Sequence, residues 1–294
     1  MRDLGYQPNL SARRLRSQEN ERPVIAFFWP LDYRVSILAS FLNFIQIEIA
    51  ESGFDCEMMI QTYENDKLEQ YGSSFLKNGY SGAIIGACSA KDQQWLESIC
   101  PRMPVVLINR ESEHFSTVCT DNEEAGLMAA TRIRQKGYTE VAIFASKHAY
   151  VATGQRVQAF MRSCEKLGIK VDEKYILRGT STLHGGYEVG KQYCALKEPP
   201  KMIFSDSDSI ALGALSAFHE HGLLIPQNAE ILSIGMLDPD TTAYSVPSVS
   251  VVEMPDKEIG QQVIRLLRQK ITTNDLTPEH VKLHAKLVLR ESFS

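Results

Sequence analysis

The chain has 294 residues, of which 44% are hydrophobic and 23% are charged, and its net charge is −5 at pH 7. This length accommodates two domains of ordinary size, and the balance of apolar and charged residues excludes a disordered chain. The overall acidity excludes a protein that coats nucleic acid with a uniformly basic surface. No stretch approaches the roughly 20 apolar residues that span a bilayer, and the first residues lack the apolar core of a signal peptide. We therefore expect a cytoplasmic protein that does not contact a membrane.

The N-terminal arm is basic. The first 18 residues contain four arginines and one aspartate, which gives +3 and leaves −8 on the rest of the chain. Pro8 ends any preceding helix, and Asn9 can cap a short helix over residues 10–17. Ala12 and Leu15 share one face of this helix, and arginines surround the rest. The charge of the arm is compatible with contact to DNA phosphates and also with an ordinary solvated tail.

The remainder of the chain alternates short apolar runs with longer amphipathic stretches. Apolar runs of strand length occur at residues 23–29, 54–60, 82–86, 104–109, 140–145, 175–178, 201–205, 231–235 and 249–252. Apolar residues at spacings of three and four predict helices at residues 38–51, 66–77, 125–136, 154–167, 209–221 and 256–270. Short apolar strands that alternate with helices form βαβ units and parallel sheets covered on both faces. Because five strands precede residue 148 and four follow it, we predict an α/β protein with two doubly wound lobes.

The sequence lacks the common signatures of catalysis and of cofactor binding. Neither GxGxxG nor GxxxxGK[ST] occurs, and the six cysteines contain no CxxC pair. His280 and His284 lie in a predicted strand, where their spacing makes joint metal ligation unnatural. Four acids are compatible with the paired carboxylates of a glycosidase: Asp206, Asp208, Asp238 and Asp240. Since the first two directly follow a strand, where sheet proteins also bind polar ligands, we expect a binding protein without catalytic residues, metal or cofactor.

Several segments, taken in order along the chain, carry a family resemblance. They are LGYQPNLSARRL at 4–15, VVLINRE at 105–111 followed by Asp121–Asn122 and Gly126, TGQRVQAF at 153–160, and IFSDSDSIALGALSAFHEHGLLIP at 203–226. The segments SIG at 233–235 and VPSVSVVEMP at 246–255 continue the pattern. Together they resemble the lactose-repressor (LacI/GalR) family of bacterial transcriptional regulators over nearly the whole chain.

This resemblance implies two Rossmann-like lobes of the periplasmic-binding-protein type. The chain would cross between the lobes three times, near residues 148, 252 and 284. Helix 255–270 would return to the N-terminal lobe, and the last strand, around Val288, would belong to the C-terminal lobe. The expected lobes are residues 23–148 with 253–283 and residues 149–252 with 284–294.

The resemblance also implies a role in DNA binding for the basic N-terminal arm. Residues 1–22 would hold the end of a helix-turn-helix domain and a hinge helix, because a complete repressor of this family starts about 45–50 residues earlier. The expected DNA contacts of the hinge are Asn9, Ala12, Arg13 and Leu15. Leu15 matches the leucine that wedges open a base step in the minor groove.

A small-molecule effector is implied in the cleft between the lobes, drawn from sugars, sugar phosphates and nucleobases. Asp121, Arg156 and Asp208 match family positions that contact effectors, and Trp29 ends a strand where it is a candidate stacking surface. Each has a structural alternative. Asp121 and Asp208 can cap helices, Arg156 can form an interlobe salt bridge, and Trp29 can pack in a core.

Three positions depart from the family pattern. Leu237 stands where an acid is usual, Thr180–Ser181 replace an aromatic residue, and Met254 replaces a glutamine. These positions have lost polarity or stacking surface, so the effector is expected to be unusual or less polar.

We therefore predict a transcriptional repressor in which a sugar or related metabolite controls binding to operator DNA. Family members pair, and helix 38–51 is apolar over more than one face, so we expect a homodimer or a higher homo-oligomer. The alternative from another class is the solute-binding protein of a sugar transporter, which shares the two-lobed fold but requires export. An enzyme on this fold is a third alternative.

Overall fold

A computed structural model describes residues 22–31, 35–76, 79–147 and 151–294 of the protein. The strands are β1 (Val24–Pro30), β2 (Glu57–Tyr63), β3 (Gly82–Gly86), β4 (Val105–Ile108), β5 (Ser116–Thr120), β6 (Ala142–Ser146), β7 (Ile176–Gly179), β8 (Met202–Ser205), β9 (Glu230–Gly235), β10 (Ser250–Glu253), β11 (His280–Leu283) and β12 (Lys286–Val288). The helices are α1 (Val35–Ser52), α2 (Gly72–Leu76), α3 (Ala90–Ile99), α4 (Asn122–Gln135), α5 (Val151–Lys166), α6 (Leu183–Cys194), α7 (Asp208–Glu220), α8 (Pro239–Ala243) and α9 (Asp256–Thr273). The hinge residues predicted from the sequence, Asn9, Ala12, Arg13 and Leu15, lie outside the described residues.

The first compact unit of the fold ends at Cys119 and also includes Lys257–Val281. Its described strands form a sheet in the order β11-β5-β4-β3-β1-β2, and the pairs from β5 to β2 are parallel. Strand β1 is buried along its whole length, because an inner strand of a parallel sheet is covered on both faces. Helix α9 packs on α1 in this unit: a Cβ added to Gly260 would lie 2.8 Å from the Cβ of Phe44.

The second unit comprises Thr120–Asp256 and Lys282–Ser294. Its described strands form a sheet in the order β12-β10-β9-β8-β6-β7. All of these pairs are parallel except β10 with β12, which is antiparallel. On one face of the sheet the rings of Phe160 and Phe204 stack with their centroids 3.8 Å apart. Among the described residues, no helix is both long and apolar enough to cross a bilayer.

The first crossing between the units lies after Cys119, so the boundary expected near residue 148 is wrong. Helix α4 and strand β6 belong to the second unit. The reason is packing: a Cβ added to Gly126 would lie 2.6 Å from the backbone nitrogen of Phe160 on α5, and Ala125 joins the core cluster around Phe160. The other two crossings follow residues 256 and 281, against the expected 252 and 284. Helix α9 and strand β12 lie in the units expected for them.

Candidate functional site

Polar side chains gather at the carboxyl edge of the second sheet. Strands β6, β8 and β9 are neighbours in this sheet and run parallel, so their carboxyl ends meet at the same edge. Asp206, Ser207 and Asp208 follow β8 there, and all three are almost completely buried. Open α/β sheets bind ligands beyond the carboxyl ends of their strands. This edge is therefore the candidate binding site of the second unit.

Asp208 holds the loop that follows β9. Its Oδ2 atom accepts hydrogen bonds from the backbone N–H groups of Met236 (2.7 Å) and Leu237 (2.6 Å). Its Oδ1 atom accepts a hydrogen bond from the N–H of Ser209 (2.9 Å). Hydrogen bonds to a carboxylate are roughly twice as strong as neutral ones, so the start of α7 and the end of β9 are tied together. Ser207, and not Asp208, occupies the N-cap position of α7.

The other acids at this edge also hold local structure. Asp206 joins β8 to β6, because its carboxylate accepts hydrogen bonds from the backbone N–H (2.7 Å) and the hydroxyl (2.9 Å) of Ser146. Asp238 caps the short helix α8 by accepting a hydrogen bond from the N–H of Asp240 (3.0 Å). These contacts are structural and differ from the facing pair of carboxylates that glycoside hydrolysis needs. Within the described part of the chain, no group of three or more His, Cys, Asp or Glu side chains is arranged to hold a metal ion.

Arg156, on α5, is buried against the same loops. It is 3% exposed, its Nε donates to Oδ1 of Asn122 (3.2 Å), and its Nη1 donates to Sδ of Met236 (3.0 Å). Asn122 begins α4 and Met236 directly follows β9, so the guanidinium bridges three segments of the second unit. The salt bridge considered from the sequence is not formed with any described residue.

The structure thus brings two of the predicted residues together, because Asp208 fixes the backbone of Met236 and Arg156 contacts its side chain. Sequence reasoning missed Asn122 and Met236 as partners of the arginine. Asn122 carried a signal, since it forms the Asp-Asn pair of the family pattern. Met236 precedes the departure at Leu237, but a thioether is a weak acceptor and gave no reason to expect a contact.

Asp121 is the N-cap residue of α4, as its structural alternative predicted. Its Oδ1 accepts a hydrogen bond from the N–H of Glu124 (3.0 Å), and its own N–H donates to the carbonyl of Leu283 (2.8 Å). Nearby, Nδ1 of His284 lies 2.5 Å from Oε2 of Glu124. The hydrogen bond to Glu124 raises the pKa of His284, and so do the negative charges of Glu124 and Asp121. An effector contact of Asp121 stays a prediction.

Trp29 lies in the first unit, near the carboxyl end of β1, and is 2% exposed. Its ring packs edge-on against Phe27 (5.7 Å between centroids) and tilted against Phe41 (5.9 Å). A Cβ added to Gly86 would overlap the indole, so this glycine makes room for the ring. These contacts are those of core packing, and a stacking contact with an effector stays a prediction.

The fold and the sequence match known proteins. The family model of the periplasmic binding protein-like domain matches residues 130–293. The HTH-type transcriptional repressor PurR of Mannheimia succiniciproducens is 22% identical over 293 residues, which cover 98% of this chain and 86% of that protein. This relative is a transcriptional repressor, the class of protein that the sequence predicts.

Solved structures agree with the family match. The crystal structure of a LacI family transcription regulator from Clostridium acetobutylicum has a TM-score of 0.88 and 32% sequence identity, and the match covers 92% of this chain and all of that one. A LacI family transcriptional regulator from Enterococcus faecium, with bound ribose, has a TM-score of 0.75 and 18% identity, covering 92% of this chain and 98% of the other. The resemblance stated from the sequence is therefore confirmed, and the chain belongs to the LacI family of transcription regulators, as a periplasmic binding protein-like effector-binding core.

Proposed function

We propose that this regulator binds a sugar or a related metabolite at the carboxyl edge of the second sheet, in the cleft that the family resemblance implies between the lobes. The observation that carries the proposal is the buried guanidinium of Arg156. Asn122 and Met236 hold two of its five N–H donors. No described residue accepts a hydrogen bond from the others, and hydroxyl, carboxylate or phosphate oxygens suit the planar fork of an arginine.

The surroundings of Arg156 support a preorganised site. Asp208 fixes the backbone of Met236 and Leu237, and Asp121 caps the helix that Asn122 begins. Binding groups whose positions are set by their own hydrogen bonds lose little entropy when a ligand arrives. The ribose bound by the Enterococcus faecium regulator supports a ligand of sugar size.

The proposal couples this site to operator DNA. The residues assigned to DNA are those of the hinge: Asn9, Ala12, Arg13 and Leu15. Contacts of arginine to phosphates release counterions, so binding to DNA is expected to weaken steeply with salt. A repressor acts where the chromosome is, which supports a cytoplasmic location.

The proposal includes a homodimer. Among the large apolar side chains that are exposed in the second unit, three lie close in sequence to two neighbouring strands: Leu224 (57%), Tyr244 (82%) and Val246 (92%). They lie in the loops that precede β9 and β10, which are parallel neighbours, so the loops share the amino edge of the sheet. Apolar side chains that are exposed together commonly mark a protein interface, and the shared edge is the basis for this assignment.

A ligand panel tests the proposed function. Sugars, sugar phosphates and nucleobases are each added to the protein, and the midpoint temperature of unfolding is measured. A compound that binds the folded state raises this temperature by mass action, and the same compound is expected to change the affinity for operator DNA. A panel without any stabilising compound contradicts the proposal, and turnover of a bound compound would favour an enzyme instead.

A further inference from the structure

Two of the connections between the units are tied together where they enter the second unit. The chain enters this unit after Cys119 and again after Val281. The strands that lead there, β5 and β11, are neighbours in the first sheet. Just beyond them, the backbone N–H of Asp121 donates to the carbonyl of Leu283 (2.8 Å). The two segments therefore still run side by side as they enter the second unit.

A pair of side chains fastens the same two segments. Nδ1 of His284, in the connection between β11 and β12, lies 2.5 Å from Oε2 of Glu124 in the first turn of α4. The two side chains are 71% and 42% exposed, and an exposed ion pair usually contributes little, because ordering two mobile side chains costs entropy. Here the hydrogen bond between Asp121 and Leu283 already holds the two segments together, so less entropy is lost when the pair forms.

The groups around His284 favour its protonated form. The hydrogen bond to Glu124 is the largest cause that raises the pKa of His284, and the negative charges of Glu124 and Asp121 raise it further. The like charges on its own segment are those of Lys282 and Lys286, two residues away on either side. Histidine ordinarily loses its proton just below neutral pH, so a raised pKa moves this loss upward, toward neutral pH.

We propose that His284 and Glu124 form a pH-sensitive latch that fastens the two connections to each other. The latch is closed while His284 is protonated, and loss of the proton removes the attraction between the two charges. Because folding raises the pKa of the histidine, the stabilisation is fully present below the pKa of the unfolded chain and is lost as the pH rises through that of the folded protein. The latch goes beyond the proposed function, since it requires no effector.

The first test is a proton NMR titration of the histidine rings in the whole chain, with His284→Gln to assign the signal. His284 is expected to lose its proton at higher pH in the wild type than in Glu124→Gln. The matched control is Glu123→Gln, which removes the same charge from the same helical turn, where Glu123 pairs with Arg162. It is expected to titrate as the wild type does. Equal midpoints in the wild type and Glu124→Gln overturn the inference.

The second test measures hydrogen exchange of the Asp121 amide below and above the titration midpoint of His284, corrected for the intrinsic effect of pH on exchange. Protection is expected to fall across the midpoint in the wild type and in Glu123→Gln, and to be low on both sides in Glu124→Gln. The factor of the fall should equal the ratio of the acid dissociation constants of His284 in Glu124→Gln and the wild type, since one coupling energy governs both. Unchanged protection in the wild type, or an equal fall in Glu124→Gln, overturns the inference.

Discussion

Asp208 is fully buried, and its role follows from the hydrogen bonds of its two oxygens. Both oxygens face N–H donors of the backbone, so the site requires a group that only accepts. Asparagine has nearly the same shape, but in either orientation of its amide the NH₂ group would face one of these backbone N–H groups. Two donors would then face each other without an acceptor. The position of Met236, and with it the contact to Arg156, depends on this one carboxylate.

We expect Asp208→Asn to lower the free energy of unfolding by about 2–3 kcal/mol, because charge-assisted bonds are lost and buried donors face each other. Urea denaturation followed by circular dichroism measures the difference. Asp240→Asn is the control, since Asp240 is exposed in the first turn of α8, and its effect is expected to stay within about 0.5 kcal/mol. Wild-type stability of Asp208→Asn would show that the backbone contacts of this carboxylate are unimportant.

At the scale of elements, helices α6 and α7 are held together by small residues. Cβ atoms added to Gly186 or Gly213 would overlap the backbone carbonyls of Ile210 and Leu183 on the opposite helix. The two helices therefore approach more closely than any residue with a side chain allows at these positions. Since α7 carries Asp208, this contact also sets the position of the candidate site.

Gly213→Ala is expected to destabilise the protein by about 1–3 kcal/mol, the usual cost of forcing extra volume into a packed interior. This loss would outweigh the helix propensity that alanine adds. The exposed Ser216 on the same helix provides the control, because Ser216→Ala should be neutral or slightly stabilising. The measurement is the midpoint temperature of thermal unfolding of both variants. A Gly213→Ala variant more stable than the wild type would contradict the close packing of α6 against α7.

The alternation of strands and helices could be predicted from apolar periodicity, but long-range contacts could not. Residues 66–77 have helical spacing, yet the structure contains a 3-10 turn at Leu68–Tyr71 followed by the short helix α2. The cause is Asp92, whose buried carboxylate accepts hydrogen bonds from the N–H groups of Asp66 (3.0 Å) and Leu68 (2.9 Å). A contact across more than 20 residues in sequence leaves no local pattern.

For the candidate site, the residues could be predicted from the sequence, but their contacts could not. The family pattern indicates Arg156 and Asp208, and the structure places both at one sheet edge. What the two side chains do there depends on which N–H groups and which sulfur face them, and neither spacing nor residue type contains that information. The helix-cap alternative for Asp121 was correct because capping is a local interaction between Asp121 and Glu124.

For the whole molecule, β5 and β11 contain two of the three places where the chain passes between the units, since two boundaries follow Cys119 and Val281 and the third follows Asp256. Helix α4 starts immediately after the first of these crossings and carries Asn122, a partner of Arg156. Arg156 therefore contacts a group that lies next to a connection between the units.

At the same scale we predict a homodimer that depends on the amino edge of the second sheet. Light scattering at micromolar concentration is expected to give twice the mass of the chain, and Tyr244→Asp is expected to reduce it toward that of a monomer. The control is Leu183→Asp, which changes an exposed leucine (59%) after β7, at the carboxyl edge. A monomeric wild type, or a dimer unaffected by Tyr244→Asp, would contradict this assignment of the interface.

The central claim is that Arg156 binds the effector, and isothermal titration calorimetry tests it most directly. The titrant is the compound of the panel that raises the unfolding temperature most, and the proteins are the wild type, Arg156→Ala and the control Arg162→Ala. Loss of a charge-assisted contact of roughly 1.5–3 kcal/mol predicts an affinity about tenfold to a hundredfold lower for Arg156→Ala, with the control unchanged. Equal dissociation constants for the wild type and Arg156→Ala would contradict the account.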